Sequence, residues 1–283
     1  MNGPEPDSRE WHRLITASKV PAILGLSPWQ SPYSLWMQMS GRIDATPETT
    51  TTRRGHYLEP AILNWWEDTH PGRMSNTGLW VSTVPWGGAT LDGLARTDGP
   101  DAAYVIVEAK SAAYRDGWGA PGTDEIPEHY KAQVLWQLAM CPEAERAYVA
   151  VLFGQGLEFA EYVVERDPTT EDALVRICAA FHASLDSEDP PPLDDSVATW
   201  DAVRRLHPDI DGTDVEIPKT LAHRYVRAQA AAKKAEARAR HTKTLLLDRM
   251  GTARTASWAG TTIARRQPGR GDSINLIPTA KTL

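Results

Sequence analysis

Apolar positions in the 283-residue chain follow a helical spacing first and a strand-like alternation later. Residues 1–10 are polar and predict no regular structure. Ser18 is placed to cap a short helix over 20–24, which Gly25 stops. Ser31 and Pro32 open a second helix, with Tyr33, Trp36, Met37 and Ser40 along one face. The polar run 46–52 predicts a loop. From Arg53 to about His70, the spacing of Leu58, Ile62, Trp65 and Trp66 predicts a longer helix.

Strand patterns follow. Residues 78–83 and 88–97 predict two strands joined by a turn at Pro85-Trp86-Gly87-Gly88. The β-branched run 104–107 predicts a strand covered on both faces. A glycine-containing loop over 111–127 precedes a helix over 128–140, and loops of that length are often functional. Residues 147–153 and 159–165 flank Gly154-Gln155-Gly156 as a hairpin, and 168–185 predicts another helix. Three consecutive prolines within 187–195 mark a linker. Beyond it, an Ala/Lys/Arg-rich helix spans about 219–250, and alternation over about 255–266 predicts a terminal hairpin. The expected organisation is an α/β domain over 1–190 with a C-terminal extension over 191–283.

Composition narrows the class. Hydrophobic residues make up 41% of the chain, enough for a sizeable core, yet no apolar stretch approaches the roughly 20 residues of a membrane span. The start, MNGPEPDSREW, lacks the basic-then-apolar pattern of a secretion signal, so a cytoplasmic protein without a membrane partner is expected. Cys141 and Cys178 suit a reducing compartment as small buried hydrophobes, and are too few for a zinc or iron–sulfur centre. The net charge of −7 is unevenly spread. Residues 219–270 carry 13 Lys/Arg against two acids, Glu236 and Asp248, a local net of +11 that leaves −18 for the rest. A basic arm for phosphates and a solvated face that balances the molecule both fit this asymmetry.

Glu108-Ala109-Lys110 closes the buried strand. Alternation puts Glu108 and Lys110 on one face, and a carboxylate beside an ammonium at the end of an apolar strand needs a reason. A surface salt bridge is one reason. The other is a divalent cation held by Glu108 and a second carboxylate, Asp92 in Thr90-Leu91-Asp92-Gly93. Oxygen ligands suit Mg²⁺ or Mn²⁺, which lowers the pKa of a bound water and stabilises charge on a scissile phosphate. Lys110 then orients that water or stabilises the developing charge. Glu59, after Gly55-His56-Tyr57-Leu58, adds a carboxylate on the helix before the strands. Gln133 and Gln137 lie one turn apart on the helix after them, either as site amides or as exposed polar residues of an amphipathic helix.

The order helix Glu, strand Asp, Glu-x-Lys, glutamine helix resembles that of the PD-(D/E)XK nucleases. More narrowly, it is similar to the YqaJ-type viral recombinases, the family of the bacteriophage lambda exonuclease. The similar stretches run in family order over about 11–190. They are Trp11-His12-Arg13-Leu14, Ile15-Thr16-Ala17-Ser18, Gly55 to Glu59, Leu91-Asp92-Gly93-Leu94, Val107-Glu108-Ala109-Lys110, Tyr130-Lys131-Ala132-Gln133-Val134 and Tyr162-Val163-Val164-Glu165-Arg166-Asp167. The resemblance implies a restriction-endonuclease-like core: a central five-stranded mixed sheet flanked by helices. It also implies digestion of linear duplex DNA from its ends.

By position, Asp92, Glu108 and the Ala109 carbonyl would ligate the metal, and Glu59 would serve a second metal or its waters. Lys110 would activate the nucleophilic water and Gln133 would support it. Ser18 and Thr90 fall where the family holds a terminal 5′-phosphate. The family arginine after the Trp-His-x-Leu segment has no counterpart, Arg13 being a near neighbour, and Gln137 stands where a tyrosine is often found. Gln137, with Arg115 and Trp118 of the long loop, completes the residues expected to touch DNA. The implied activity is a 5′-to-3′ exonuclease that resects linear duplexes for a single-strand annealing protein, with a ring trimer by analogy. An endonuclease or single-strand-preferring nuclease of the same fold, and an inactive DNA-binding module, are the alternatives.

Other features carry less. Trp36, Trp65, Trp66 and Trp136 lie on apolar helix faces and read as core, and His56 as a capping or surface residue. No Gly-x-x-x-x-Gly-Lys loop is present, which argues against an ATP-driven motor.

Overall fold

The computed structural model describes residues 8–47, 49–70, 72–99, 102–271 and 273–279. Most of the stretch 1–10 expected to be irregular lies outside them. The chain divides into two units, Met1–Asp209 and Ile210–Leu283.

The first unit opens with helix α1 (Arg9–Arg13), which Ser8 caps by accepting from the Trp11 amide at 3.1 Å. Strand β1 (Ile15–Thr16), a 3₁₀ turn (Ala17–Lys19) and helix α2 (Val20–Ile23) follow, so Ser18 sits inside the turn rather than at the α2 cap. Helix α3 (Pro32–Met39) starts on a capping box between Ser31 and Ser34. Helix α4 (Thr50–Thr69) is capped by Thr49 and absorbs the end of the run expected to be loop.

Strands β2 (Gly72–Asn76), β3 (Leu79–Val84), β4 (Gly87–Leu91), β5 (Gly93–Thr97) and β6 (Tyr104–Ala112) come next. Helix α5 (Glu128–Met140), strands β7 (Ala144–Phe153) and β8 (Glu158–Glu165), and helices α6 (Pro168–Asp186) and α7 (Val197–Leu206) complete the unit. The α7 helix lies beyond the proline linker where the extension was expected to begin. It packs on α3, with Thr199 Oγ1 at 2.7 Å from Ser31 Oγ. The unit boundary therefore falls at Asp209 rather than at 190.

The architecture is mixed α/β. Five strands form one sheet in the order β2-β5-β6-β7-β8, with β6 and β7 parallel and the other pairs antiparallel. A second sheet has the order β1-β4-β3, with β1 parallel to β4. The stretch 88–97, read as one strand, is thus two strands in different sheets, with Asp92 at the break. Gly93 permits the crossing: a Cβ there would stand 2.6 Å from the Met74 sulfur. Gly88 is equally constrained, since its Cβ would enter the Trp80 ring at 2.4 Å.

Alternation along β6 sends Val105 and Val107 toward α4, where they pack with Ile62, Leu63 and Trp66. Ile106 points the other way, into the larger core with Val134, Trp136, Leu138, Val149 and Val151. Trp36, Trp66 and Trp136 are fully buried, as expected, and Trp65 stacks on Phe159.

The second unit holds helix α8 (Lys219–Met250), ended by Gly251 at φ +52°. Antiparallel strands β9 (Thr255–Trp258), β10 (Thr261–Pro268) and β11 (Ile274–Pro278) follow in the order β11-β10-β9. The expected hairpin is present, turning at Ala259 and Gly260, both with positive φ. A third strand extends it to a sheet. Among the described residues no helix is long and apolar enough to cross a membrane.

Candidate active site

The break at Asp92 assembles the site. Gly93 of β5 pairs with Val107 of β6, so one step on, Asp92 lies opposite Glu108. Asp92 Oδ2 accepts from the Ala109 amide at 2.9 Å, fixing the carboxylate against β6. Glu108 and Lys110 share the face of β6 that looks toward α5, as alternation requires.

Glu108 is only 1% exposed, and both its oxygens are engaged. Oε1 accepts from Gln133 Nε2 at 2.6 Å and from Lys110 Nζ; Oε2 accepts from Gln137 Nε2 at 2.6 Å. The two glutamines, one turn apart on α5, act as a clamp on one carboxylate. Gln137 is itself buried, so it is a partner of Glu108 and not the DNA contact expected of it. Its Oε1 is buried without a hydrogen-bond partner.

Charge crowds here. Burial, then the neighbouring Glu108 and Glu59 charges, push the Asp92 carboxyl well above the usual range, against the opposing pull of Lys110. Burial and Glu108 likewise raise Glu59 on α4, while His56, 3.9 Å from its carboxylate, and Lys110 pull it down. Burial opposes the Lys110 ammonium, but Glu108 and Asp92 outweigh it and hold its pKa above the ordinary lysine value. Lys110 is therefore cationic here, and its Nζ stands 5.2 Å from the Tyr130 ring.

Among the described residues no three His, Cys, Asp or Glu side chains are grouped so as to hold a metal ion. The donor chemistry nevertheless suits a hard divalent cation. Asp92, Glu108 and the Ala109 backbone offer only oxygens, the carboxylates repel one another, and such cations bind through one or two carboxylates plus water. The unpaired Gln137 oxygen is a ready acceptor for a water proton.

The residues expected at a 5′-phosphate are partly brought together. Parallel pairing of β1 with β4 sets the turn bearing Ser18 beside the strand bearing Thr90, and both residues are exposed. Ser18 Oγ lies 3.2 Å from Thr16 Oγ1. Arg13 is elsewhere engaged, 2.5 Å from Asp186. The neighbouring cation that sequence reading passed over is Lys19. Its Nζ donates to the carbonyl oxygens of His12 at 2.9 Å and Leu14 at 2.7 Å, and burial lowers its pKa to about 8.

Two loop residues have partners within the chain. Trp118 packs among Tyr162, Tyr130 and Phe153, with ring centroids at 5.0, 5.5 and 5.7 Å. Arg115 lies over Phe153 at 4.2 Å and pairs with Glu158 at 2.8 Å. Two residues were missed beside Tyr130: His129 is 4.1 Å from its ring, and Trp29 meets His129 edge-on at 5.2 Å. Trp29 lies in Ser27-Pro28-Trp29-Gln30-Ser31-Pro32, where paired prolines exclude a helix, a signal that could have marked it as displayed.

A cleft of about 830 Å³ lies in the second unit, lined by residues such as Arg254, Arg266 and Gln267. Glu59 lines a smaller cleft of about 380 Å³.

Residues 9–144 match the model of the YqaJ-like viral recombinase domain. The chain is 26% identical over 218 residues to the uncharacterized protein YqaJ of Bacillus subtilis strain 168, an alignment covering 76% of this chain. It spans 66% of that relative, just under two thirds of its length. The crystal structure of an alkaline exonuclease (LHK-Exo) from Laribacter hongkongensis is similar at 19% identity and a TM-score of 0.49, covering 62% of this chain and 90% of that one. That of a phage-related exonuclease from Haemophilus somnus 129PT gives 13% identity and a TM-score of 0.48, covering 62% and 94%.

Proposed function

We propose that this protein, whose residues 9–144 match the YqaJ-like viral recombinase domain, is a divalent-metal-dependent DNA exonuclease that resects linear duplexes from the 5′ end. The observation that carries this reading is the buried Glu108, clamped by Gln133 and Gln137 and facing Asp92 across two strands. Burying one carboxylate costs several kcal/mol unless it is paired, and clustering Asp92 and Glu59 near it adds to that cost.

Asp92, Glu108 and the Ala109 carbonyl would hold Mg²⁺ or Mn²⁺, with Glu59 at a second ion or its waters. The ion, when bound, supplies a water of lowered pKa and neutralises phosphate charge. The remaining steps fall to side chains. Gln133 and Gln137 hold Glu108 in one rotamer, so the carboxylate need not reorganise. Lys110, held cationic by two carboxylates, faces the phosphate and stabilises the charge that develops as water attacks in line. The unpaired Gln137 oxygen would accept a hydrogen bond from a water at the site. Ser18 and Thr90, adjacent and exposed, donate hydroxyls to the terminal 5′-phosphate.

An annealing protein that takes up the freed strand, a ring of copies around the duplex, and action in the bacterial or phage-infected cytoplasm belong to the same reading. So does a phosphate-contacting role for the basic second unit.

The deciding experiment digests linear duplexes with and without 5′-phosphate, plus nicked and closed circles, in Mg²⁺ or EDTA. Asp92→Ala and Lys110→Ala should each lose on the order of 100- to 10,000-fold in rate. Activity surviving both substitutions overturns the site, and cleavage of closed circles replaces the exonuclease with an endonuclease.

A further inference from the structure

Trp29 is 71% exposed, whereas Trp36, Trp66 and Trp136 are buried and build the core. Its turn is nonetheless held firmly. Ser27 Oγ accepts from the Trp29 and Gln30 amides at 3.3 and 3.2 Å, Gln30 Nε2 donates to Gln38 Oε1 at 2.7 Å, and Ser31 caps α3. The indole is displayed on a rigid turn at the entrance to α3. Behind it the His129 ring meets it edge-on at 89°, and His129 in turn abuts Tyr130. Tyr130 carries Lys110 on its face. Three ring contacts thus connect the site lysine to a solvent-facing indole.

His129 has a second distinguishing feature. Its Nε2 is buried without a hydrogen-bond partner, so this ring serves as an aromatic surface and not as a tied structural histidine. Burial and the nearby Lys110 charge lower its pKa, which keeps the imidazole neutral. A neutral ring backing the indole leaves its outer face apolar.

We propose that Trp29, backed by His129 and Tyr130, is a stacking platform for a nucleobase of the DNA strand whose phosphate lies at Glu108 and Lys110. The inference rests on the nuclease reading and names the part of the substrate that reading leaves unassigned. Every base offers a π-face, so an aromatic shelf grips the strand without choosing a sequence, as a resecting enzyme requires. The shelf lies on α5 and the turn preceding α3, linked to Lys110 through Tyr130.

The test compares wild type, Trp29→Ala and Trp29→Phe on duplexes with normal ends and on duplexes abasic at the nucleotides nearest the end. Trp29→Ala should raise KM on normal ends by about ten-fold with kcat nearly unchanged, and Trp29→Phe should retain most of the affinity. On abasic ends the three proteins should behave alike. An equal KM for Trp29→Ala and wild type on normal ends overturns the platform. So does an equal loss on abasic ends, which marks a merely structural residue. Should wild type digest none of the substrates, the nuclease reading falls, and quenching of 2-aminopurine placed at the DNA end still decides. Quenching lost in Trp29→Ala supports stacking, and quenching unchanged refutes it.

Discussion

The two units of this chain are stabilised by different physics. In the first, helix α5 is held by its surroundings: Val134, Trp136 and Leu138 are fully buried, and Trp136 Nε1 donates to the Gly88 carbonyl at 2.9 Å. In the second, every residue of α8 from 223 to 245 is exposed, and only Met250 and Ala264 are buried among the described residues of the unit. Helix α8 therefore depends on intrinsic propensity, through its run of alanine, lysine and arginine, whereas α5 depends on packing. Charge follows the same division. The first unit buries Glu108 and Lys19 at a cost, and the second keeps its cations in water. A site that must fix a carboxylate to within a fraction of an ångström needs the first kind of support; a solvated cationic face does not.

The comparison breaks most visibly at Trp136. Trp136→Ala should destabilise the first unit by about 3–5 kcal/mol, because it empties a packed core and leaves the Gly88 carbonyl unpaired. Urea unfolding checks this, and a cost below about 1 kcal/mol would mean that α5 is no more dependent on packing than α8.

Lys19 sharpens the contrast in charge. Burial makes its ammonium costlier in the folded than in the unfolded chain, which holds the proton up to about 10.5 against about 8 when folded. Between those values the unfolded chain binds more protons, so stability rises with pH across the window; below pH 8 the cost is present in full. The gain is at most about 3 kcal/mol. Lys19→Met should remove this rise, read as urea midpoints from about pH 7 to about pH 10.5. An identical pH profile in the variant would show that Lys19 is not held at a cost.

The second unit is probed through its solvated charges. Replacing Arg224, Arg227, Lys234 and Arg238 by Gln should weaken duplex binding on the order of 100-fold and make its log–log salt slope shallower by about three to four. An unchanged slope would identify the basic face as one that only balances the molecule. The smallest effect is expected at Ala232→Gly, which should cost α8 about 1 kcal/mol, seen in amide exchange, while nuclease activity on linear DNA stays as in wild type.

Legibility followed the same division. The bounds of α5 and α8 were predicted from the sequence at 128–140 and about 219–250, and both helices form over those residues. Local signals suffice for a helix, since its hydrogen bonds and side-chain stripe lie within a few residues. Glu108 and Lys110 on one face of a strand were likewise readable, because alternation is a property of the strand itself.

Other features were not local. The break at Asp92 depends on Met74 and Leu63 leaving no room for a side chain at residue 93. Helix α7 follows three prolines that read as a linker, and its place is given by Ser31, 168 positions away. Trp118 lay in a loop that looked displayed, yet Tyr162, Tyr130 and Phe153 pack around it, while Arg115 stays exposed beside Glu158. Gln137 was expected to face DNA, and its burial against Glu108 follows from how α5 lies on the sheet.

The sequence by itself determined the long helices α4, α5, α6 and α8, the strand that carries Glu108 and Lys110, and the oxygen-rich donor chemistry, because residue type and short-range spacing encode all three. Tertiary structure alone decided that Asp92 stands opposite Glu108, that both glutamines clamp that one carboxylate, and that Trp29 reaches Lys110 through His129 and Tyr130. Apart from the neighbouring His129 and Tyr130, those contacts join positions 16 to 100 residues apart. Their geometry is set by strand register and helix packing, which no local pattern in the chain contains.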